Sequence, residues 1–210
     1  MFAIHSDNKG LVIPPKMAPN PVVIVPILFD DTKEKVIKKA SEVAKILEKF
    51  EAFVDSRGEY SAGFKFNEWE LKGIPLRIEI GPKDIERDSV VLVRRDNFEK
   101  EFVKIKDLNK KIPEVLESIQ NNLFKKADKL LYGALAQAKN FDELKKALKE
   151  KKLVLTPLCK KVECEDKLKF ETGGAKVLNI PEKQPVGAEK AKCVICGKKA
   201  DYFAYVGKSY

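Results

Sequence analysis

The sequence predicts an α/β chain in two parts. The larger part is built on a mixed, roughly five-stranded sheet with flanking helices, and a smaller α+β part follows it. Three observations carry this. Val22-Val23-Ile24-Val25-Pro26-Ile27 is a short continuous apolar run, suited to a strand buried on both faces. Residues 64 to 96 switch between helical and strand periods within a few turns. All four cysteines fall in the last third, as Cys159-x4-Cys164 and Cys193-x2-Cys196.

Residues 1 to 21 hold four prolines and little periodicity, which predicts a strand remnant followed by a linker. After the first apolar run, Asp31 with Glu34 three residues on has the form of a capping box. Val36, Ile37, Ala40, Val43, Ala44, Leu47 and Phe50 then keep helical spacing. Ala52-Phe53-Val54 returns as a strand. The strand–helix–strand order implies a parallel crossover.

Phe66, Trp69 and Leu71 form an amphipathic turn, which Gly73 and Pro75 break. Leu76, Ile78 and Ile80 alternate with Arg77 and Glu79, the period of a half-buried strand. Gly81-Pro82 ends it, Lys83-Asp84 follow in the turn, and Val90 to Val93 reads as a further strand. Glu101 to Lys104 reads as an edge strand. Residues 108 to 139 form a long helical region whose apolar stripe is Ile112, Val115, Leu116, Ile119, Leu123, Ala127, Leu130 and Leu131. A shorter helix (Asp142 to Lys151), a strand at Leu153 to Pro157 and a closing strand from Tyr202 complete the chain, with a domain boundary near residue 140.

Composition narrows the function classes. Apolar residues at 44% indicate a packed core, and no apolar run approaches the length of a membrane span. Asp7, Pro14 and Pro15 in the first twenty residues do not suit a secretory signal, so a cytoplasmic protein is expected. The net charge of +9 permits a polyanionic partner without naming one. His5, the only histidine, has no partners for a catalytic arrangement.

The cysteine spacing suits one tetrahedral Zn2+, because each short pair brings two sulfurs toward the same ion. Such a site is closed and supplies folding energy rather than chemistry. The alternatives are two disulfides, which a cytosolic setting disfavours, and a redox-active Cys193-Val194-Ile195-Cys196, which lacks a thioredoxin-like setting. The 64–96 stretch holds charges of both signs and aromatic rings on turns and strand ends. That mix suits base recognition, although its periodicity alone also fits an ordinary solvated sheet face.

The run FKFNEWELKGIPLRIEIGPKD closely resembles the anticodon-binding domain of archaeal and eukaryotic-type prolyl-tRNA synthetases. The similarity extends over the whole chain. His5-Ser6-Asp7 stands where the family has His-Gly-Asp near the end of its third class II motif, and Ala62-Gly63-Phe64 where it often has Pro-Gly-Trp. The resemblance implies a remnant of the catalytic domain and a linker over 1–20, an anticodon-binding domain over 21–140 and a zinc-binding domain over 141–210. It places anticodon contacts on Phe66, Glu70, Arg77, Lys83 and Asp84, and phosphate contacts on Lys65 and Lys72.

A proline anticodon shares two guanines. A carboxylate accepts from G N1–H and N2–H2, Arg or Lys donates to O6 and N7, and a ring stacks. The resemblance also makes Cys159, Cys164, Cys193 and Cys196 ligands of structural zinc, and directs the terminal carboxylate of Tyr210 toward the parent active site. ATP and Mg2+ belong to the full-length parent, as do the catalytic domain as a partner and homodimer formation. The catalytic motifs are absent from this sequence, so the chain alone is expected to bind tRNA(Pro) without activating proline. The alternatives are a zinc-stabilised, non-catalytic nucleic-acid- or protein-binding module and a small redox or metal enzyme. Neither accounts for residues 64 to 84.

Overall fold

The computed structural model describes residues 3–208. The chain divides into two compact units, Met1–Ala127 and Asp128–Tyr210. This division lies ahead of the boundary expected near 140, and it falls inside one long helix.

In the first unit, β1 (Ser6–Asp7) and β2 (Gly10–Leu11) form a small antiparallel hairpin. Then come β3 (Val22–Pro26), α1 (Lys33–Ile46), β4 (Phe53–Val54), α2 (Ala62–Lys72), β5 (Leu76–Ile80) and the short α3 (Pro82–Glu86). Two further strands, β6 (Ser89–Arg94) and β7 (Lys100–Lys104), lead into α4 (Leu108–Ala134). The sheet has the order β4-β3-β5-β6-β7 and is mixed: β3 is parallel to β4 and β5, and β5-β6 and β6-β7 are antiparallel. This is the five-stranded mixed sheet the sequence predicts.

One face of the sheet carries the main core. Val22, Ile24, Leu76, Ile78, Ile80, Val90 and Leu92 meet Val36, Ala40, Val43 and Leu47 of α1, and Ile112, Val115 and Ile119 of α4. The stripe expected on α4 is buried through Leu123, but Leu130 and Leu131 are exposed. The helix also ends at Ala134 rather than near 139, because 135–137 leave it to join a strand. The α1 N-cap is Thr32, not Asp31, and it makes no side-chain capping bond.

The opposite face departs further from expectation. Residues 62–72 form a full helix, not a turn. Ser61 caps it, accepting from Phe64 N, and Gly73 ends it in the left-handed conformation. This helix lies over β5, so Arg77 and Glu79 are buried along with Leu76, Ile78 and Ile80. Strand β5 is therefore central and covered on both faces, not half-buried.

The N-terminal segment is tied down rather than free. Arg95 donates two hydrogen bonds of 2.7 Å to the Asp7 carboxylate, and Val12 joins the core. Gly10 and Gly73 make the close approach possible. A Cβ on Gly10 would lie 2.6 Å from the Leu71 carbonyl oxygen, and one on Gly73 would lie 2.6 Å from the Leu11 backbone.

The second unit has its own four-stranded sheet. Strand β8 (Leu135–Gln137), α5 (Phe141–Lys149), β9 (Leu153–Leu158), α6 (Val162–Thr172), β10 (Lys176–Asn179) and β11 (Tyr202–Gly207) follow in sequence. The order is β10-β11-β9-β8, with β8 and β9 parallel and the other pairs antiparallel. Asn140 caps α5, accepting from Glu143 N. Leu144, Leu148, Val154, Leu168, Ala204 and Val206 form a short core that continues into Cys159, Cys164 and Cys193. Among the described residues no helix is long and apolar enough to cross a membrane.

Candidate nucleic-acid interface and metal centre

Helix α2 and strand β5 meet through one guanidinium. Arg77 Nη1 donates to Glu70 Oε1 at 3.1 Å and to the Phe66 carbonyl at 3.3 Å. Its Nε and Nη2 donate to Glu79 Oε1 at 3.1 and 2.9 Å. The guanidinium also lies 4.3 Å from the Phe66 ring centre, a cation–π distance. Phe66 and Glu70 share a face of α2 because they are four residues apart. Lys100 of β7 approaches Glu79 Oε2 at 3.4 Å, and Lys9 approaches Glu70 Oε2 at 3.7 Å. The Arg77 side chain is 8% exposed and that of Glu70 16%. Arg77 is thus the floor of the cluster, with Phe66 and Glu70 above it.

The neighbouring face of α2 holds a second ionic cluster. Asp55, at the end of β4, accepts from Arg57 Nε and Nη2 at 2.8 and 2.7 Å and from the Trp69 indole at 2.9 Å. Lys65 Nζ donates to the Asp55 carbonyl at 3.1 Å and lies 3.9 Å from its carboxylate. The hydrogen bonds from Arg57 hold the Asp55 carboxyl well below its ordinary value, at about 2. Burial pushes the Lys65 ammonium below its usual range.

In the second unit the four cysteine ligand atoms all lie within 4.8 Å of one another. Cys159 Sγ is 3.5 Å from Cys164 Sγ and 3.8 Å from Cys196 Sγ. Four sulfurs about 2.3 Å from a central Zn2+ form a tetrahedron with edges of roughly 3.8 Å. The donors therefore fit a metal ion that takes four thiolates. Cys159 follows the last residue of β9, and Cys164 sits in the first turn of α6. Cys193 and Cys196 lie on a tight turn closed by Cys193 N→Lys198 O and Gly197 N→Cys193 O. So only the second pair is a loop knuckle; the first is a strand end and a helix start.

Burial pushes the Cys159 and Cys164 thiols up, whereas the Lys198 backbone amide lowers that of Cys196 to about 7. A bound ion would take all four as thiolates, and the exposed Lys160, Lys161, Lys192, Lys198 and Lys199 would offset the resulting negative charge.

Comparison with known proteins bears on both parts of the chain. Residues 21–115 match the family described as "Anticodon binding domain" and residues 141–210 the one described as "Prolyl-tRNA synthetase, C-terminal". A proline–tRNA ligase 2 from Bacillus cereus is 43% identical over 211 residues, covering 100% of this chain and 43% of the relative. The cytoplasmic proline–tRNA ligase of Arabidopsis thaliana is 42% identical, again over 100% of this chain but 41% of the relative. The crystal structure of prolyl-tRNA synthetase from Cryptosporidium parvum, complexed with L-proline and AMP, superposes with a TM-score of 0.91 at 42% identity. It covers 99% of this chain and 44% of that one.

The chain corresponds to the C-terminal part of a prolyl-tRNA synthetase.

It spans less than half the length of these relatives. Among the residues expected to contact tRNA, Phe66, Glu70 and Arg77 come together, joined by Glu79 and Lys100, which the sequence reading did not single out. In sequence Glu79 is a polar residue in an alternating strand, where a paired charge looks the same as a solvated one.

Lys83 and Asp84 sit on α3, just beyond the C-terminal end of β5. Asp84 Oδ2 accepts from Gly81 N at 2.8 Å, so it caps the short helix, and Lys83 is exposed with no ion-pair partner among the described residues. Lys65 does not suit the phosphate contact expected of it: its side chain is 1% exposed and points to Asp55. Lys72 is exposed, paired with Glu68 Oε1 at 2.7 Å, and lies roughly 200° around the helix from Glu70. Tyr210 lies outside the described residues. His5 is half-buried, and its carbonyl accepts from Val12 N at 2.9 Å, a structural role.

Proposed function

We propose that this chain reads the anticodon of tRNA(Pro) as part of a proline–tRNA ligase. The parent reaction joins proline to tRNA(Pro) through an adenylate, with ATP and Mg2+ supplied at a catalytic domain outside this sequence. The observation that carries the reading is the Phe66–Glu70–Arg77–Glu79 cluster, inside the segment that matches an anticodon-binding family. A cytoplasmic location is part of the proposal, supported by the Arabidopsis relative.

The chemistry assigns different roles within the cluster. Glu70 offers a carboxylate whose outer oxygen is held only by a long, exposed Lys9 contact, so a guanine N1–H and N2–H2 can displace that lysine. Phe66 offers its ring to a base. Arg77 has its donors committed to Glu70, Glu79 and the Phe66 carbonyl, so it fixes the carboxylate and the ring in place. Lys83 and Asp84 extend the site beyond the end of β5. The four cysteines hold structural Zn2+, which contributes folding energy and no reaction step.

Substituting Glu70→Gln tests this. It keeps the size and one acceptor but removes the charge that selects a two-donor guanine edge. Binding of an anticodon stem-loop RNA with the proline anticodon is expected to lose about 1–3 kcal/mol of its preference over loops with a guanine replaced. An unchanged preference would overturn the assignment. Arg77→Ala is the poorer test, because it also leaves Glu79 buried without its main partner.

A further inference from the structure

The edge of the sheet carries a feature that the anticodon cluster does not absorb. In β7, Lys100, Phe102 and Lys104 alternate onto one face, while Val103 turns into the core and Glu101 pairs with Lys111 of α4. The register fixes which face this is. Phe102 stands opposite Val91, and Val91 stands opposite Glu79; Lys100 stands opposite Val93, and Val93 opposite Arg77. Phe102 and its two lysines therefore share the sheet face of Arg77 and Glu79, two strands away, roughly 10 Å across the ladder.

Helix α2 covers the β5 end of that face and leaves the β7 end open. Phe102 is 69% exposed, with no aromatic or cation–π partner among the described residues. Lysines on an edge strand are ordinarily a guard against strand pairing between molecules. A bare phenyl ring between them works against that purpose, so edge protection does not explain it. The arrangement has the form of single-stranded nucleic-acid platforms, a ring for the base and flanking cations for the phosphates. The salt bridge from Lys100 to Glu79 makes this platform continuous with the anticodon cluster.

We propose that Phe102 stacks a further base of the anticodon loop, next to the guanines read at Glu70, with Lys104 and Lys100 facing the adjoining phosphates. This rests on the anticodon reading above and extends its footprint across the sheet to β7. Stacking tolerates any base, so Phe102 contributes affinity without guanine preference.

The test uses the 210-residue chain and anticodon stem-loop RNA with the proline anticodon, carrying 2-aminopurine at one loop position at a time. Phe102→Ala is expected to bind about tenfold more weakly, equally for the proline loop and for guanine-replaced loops. One 2-aminopurine position is expected to change emission on binding the parent chain but not Phe102→Ala, and Phe102→Trp is expected to restore both affinity and signal. Lys104→Ala is expected to lower the salt dependence by about one counterion. Because Phe102 is exposed, the emission of Trp69 is expected to show an unchanged fold in Phe102→Ala and Lys104→Ala. If Phe102→Ala binds as tightly as the parent while Glu70→Gln still loses its guanine preference, the platform is refuted and the anticodon reading stands. If Phe102→Ala changes guanine preference, the stacking role is refuted. If neither variant alters binding, both readings fall.

Discussion

The two units are held together by different means. The first buries a continuous apolar core from both helices and sheet, and then adds two ionic clusters on the two faces of α2. The second has a much shorter apolar core, and three of its buried members are cysteines. In the first unit, polar groups are placed inside a fold that the core already supports. In the second, the sulfurs stand where a small domain lacks core. The contrast says where each unit can be broken.

The largest effect is expected at the thiols. A structural Zn2+ site commonly contributes about 10–16 kcal/mol of folding energy near neutral pH. Chelating the metal, or substituting Cys193→Ser, is expected to abolish hydrogen-exchange protection of β9 and β11. The single tryptophan, Trp69, belongs to the first unit and is expected to keep its emission and unfolding midpoint. Metal analysis of the purified chain checks the premise directly. Protection of β9 and β11 that survives full metal removal would show that the short core suffices.

The next effect separates the two ionic clusters. Asp55→Ala leaves Lys65 buried with only a carbonyl to meet, removes the acceptor of the Trp69 indole, and leaves Arg57 with Glu68 alone. A loss of about 3–5 kcal/mol is expected in Trp69-monitored denaturation. Lys65→Met keeps the volume and leaves Asp55 paired with Arg57, so it is expected to be close to neutral. Equal losses from the two variants would mean that the Lys65–Asp55 pair, not the satisfaction of Asp55, carries the stability. Across the helix, Glu70→Gln is expected to change RNA preference with little effect on stability. That asymmetry would separate a structural cluster from the proposed site.

Much of this was readable in advance, and the exceptions share a cause. The apolar run at Val22, the spacing of α1 and the family motif placed the sheet and the Phe66–Glu70–Arg77 cluster. Arg77 and Glu79 alternate with apolar residues and give Leu76–Ile80 the pattern of a half-buried strand, which a solvated face also gives. Pairing of those charges beneath a second layer cannot be seen in a one-dimensional pattern. Lys65 carries the same ambiguity, since its partner Asp55 lies outside its helix, just past the end of β4. Helix α6 was missed because it has almost no apolar stripe: only Cys164 and Leu168 are buried, while Val162 and Phe170 face solvent. Yet the cysteine spacing points to two close pairs, because short spacings limit how far two sulfurs can separate, and the fold brings all four ligand atoms within 4.8 Å of one another.

The smallest expected effect is a pH dependence confined to the first unit. The Asp55 carboxyl is held down from 3.8 to about 2, chiefly by the hydrogen bonds from Arg57. A carboxyl whose folded value lies below its unfolded one releases its proton more readily in the native state. Its stabilisation is therefore complete above about pH 4 and is lost as the pH falls toward about 2. Asp7, held to about 2 by Arg95, acts in the same direction, but its side chain is 38% exposed and solvent screens its share. The midpoint of Trp69-monitored unfolding is expected to drop between about pH 5 and about pH 2. Asp55→Asn is expected to start lower and to vary less over that range, because an amide has no proton to take up. A parent-like slope in that variant would assign the acid sensitivity to other carboxylates and reduce the Asp55 cluster to a packing feature.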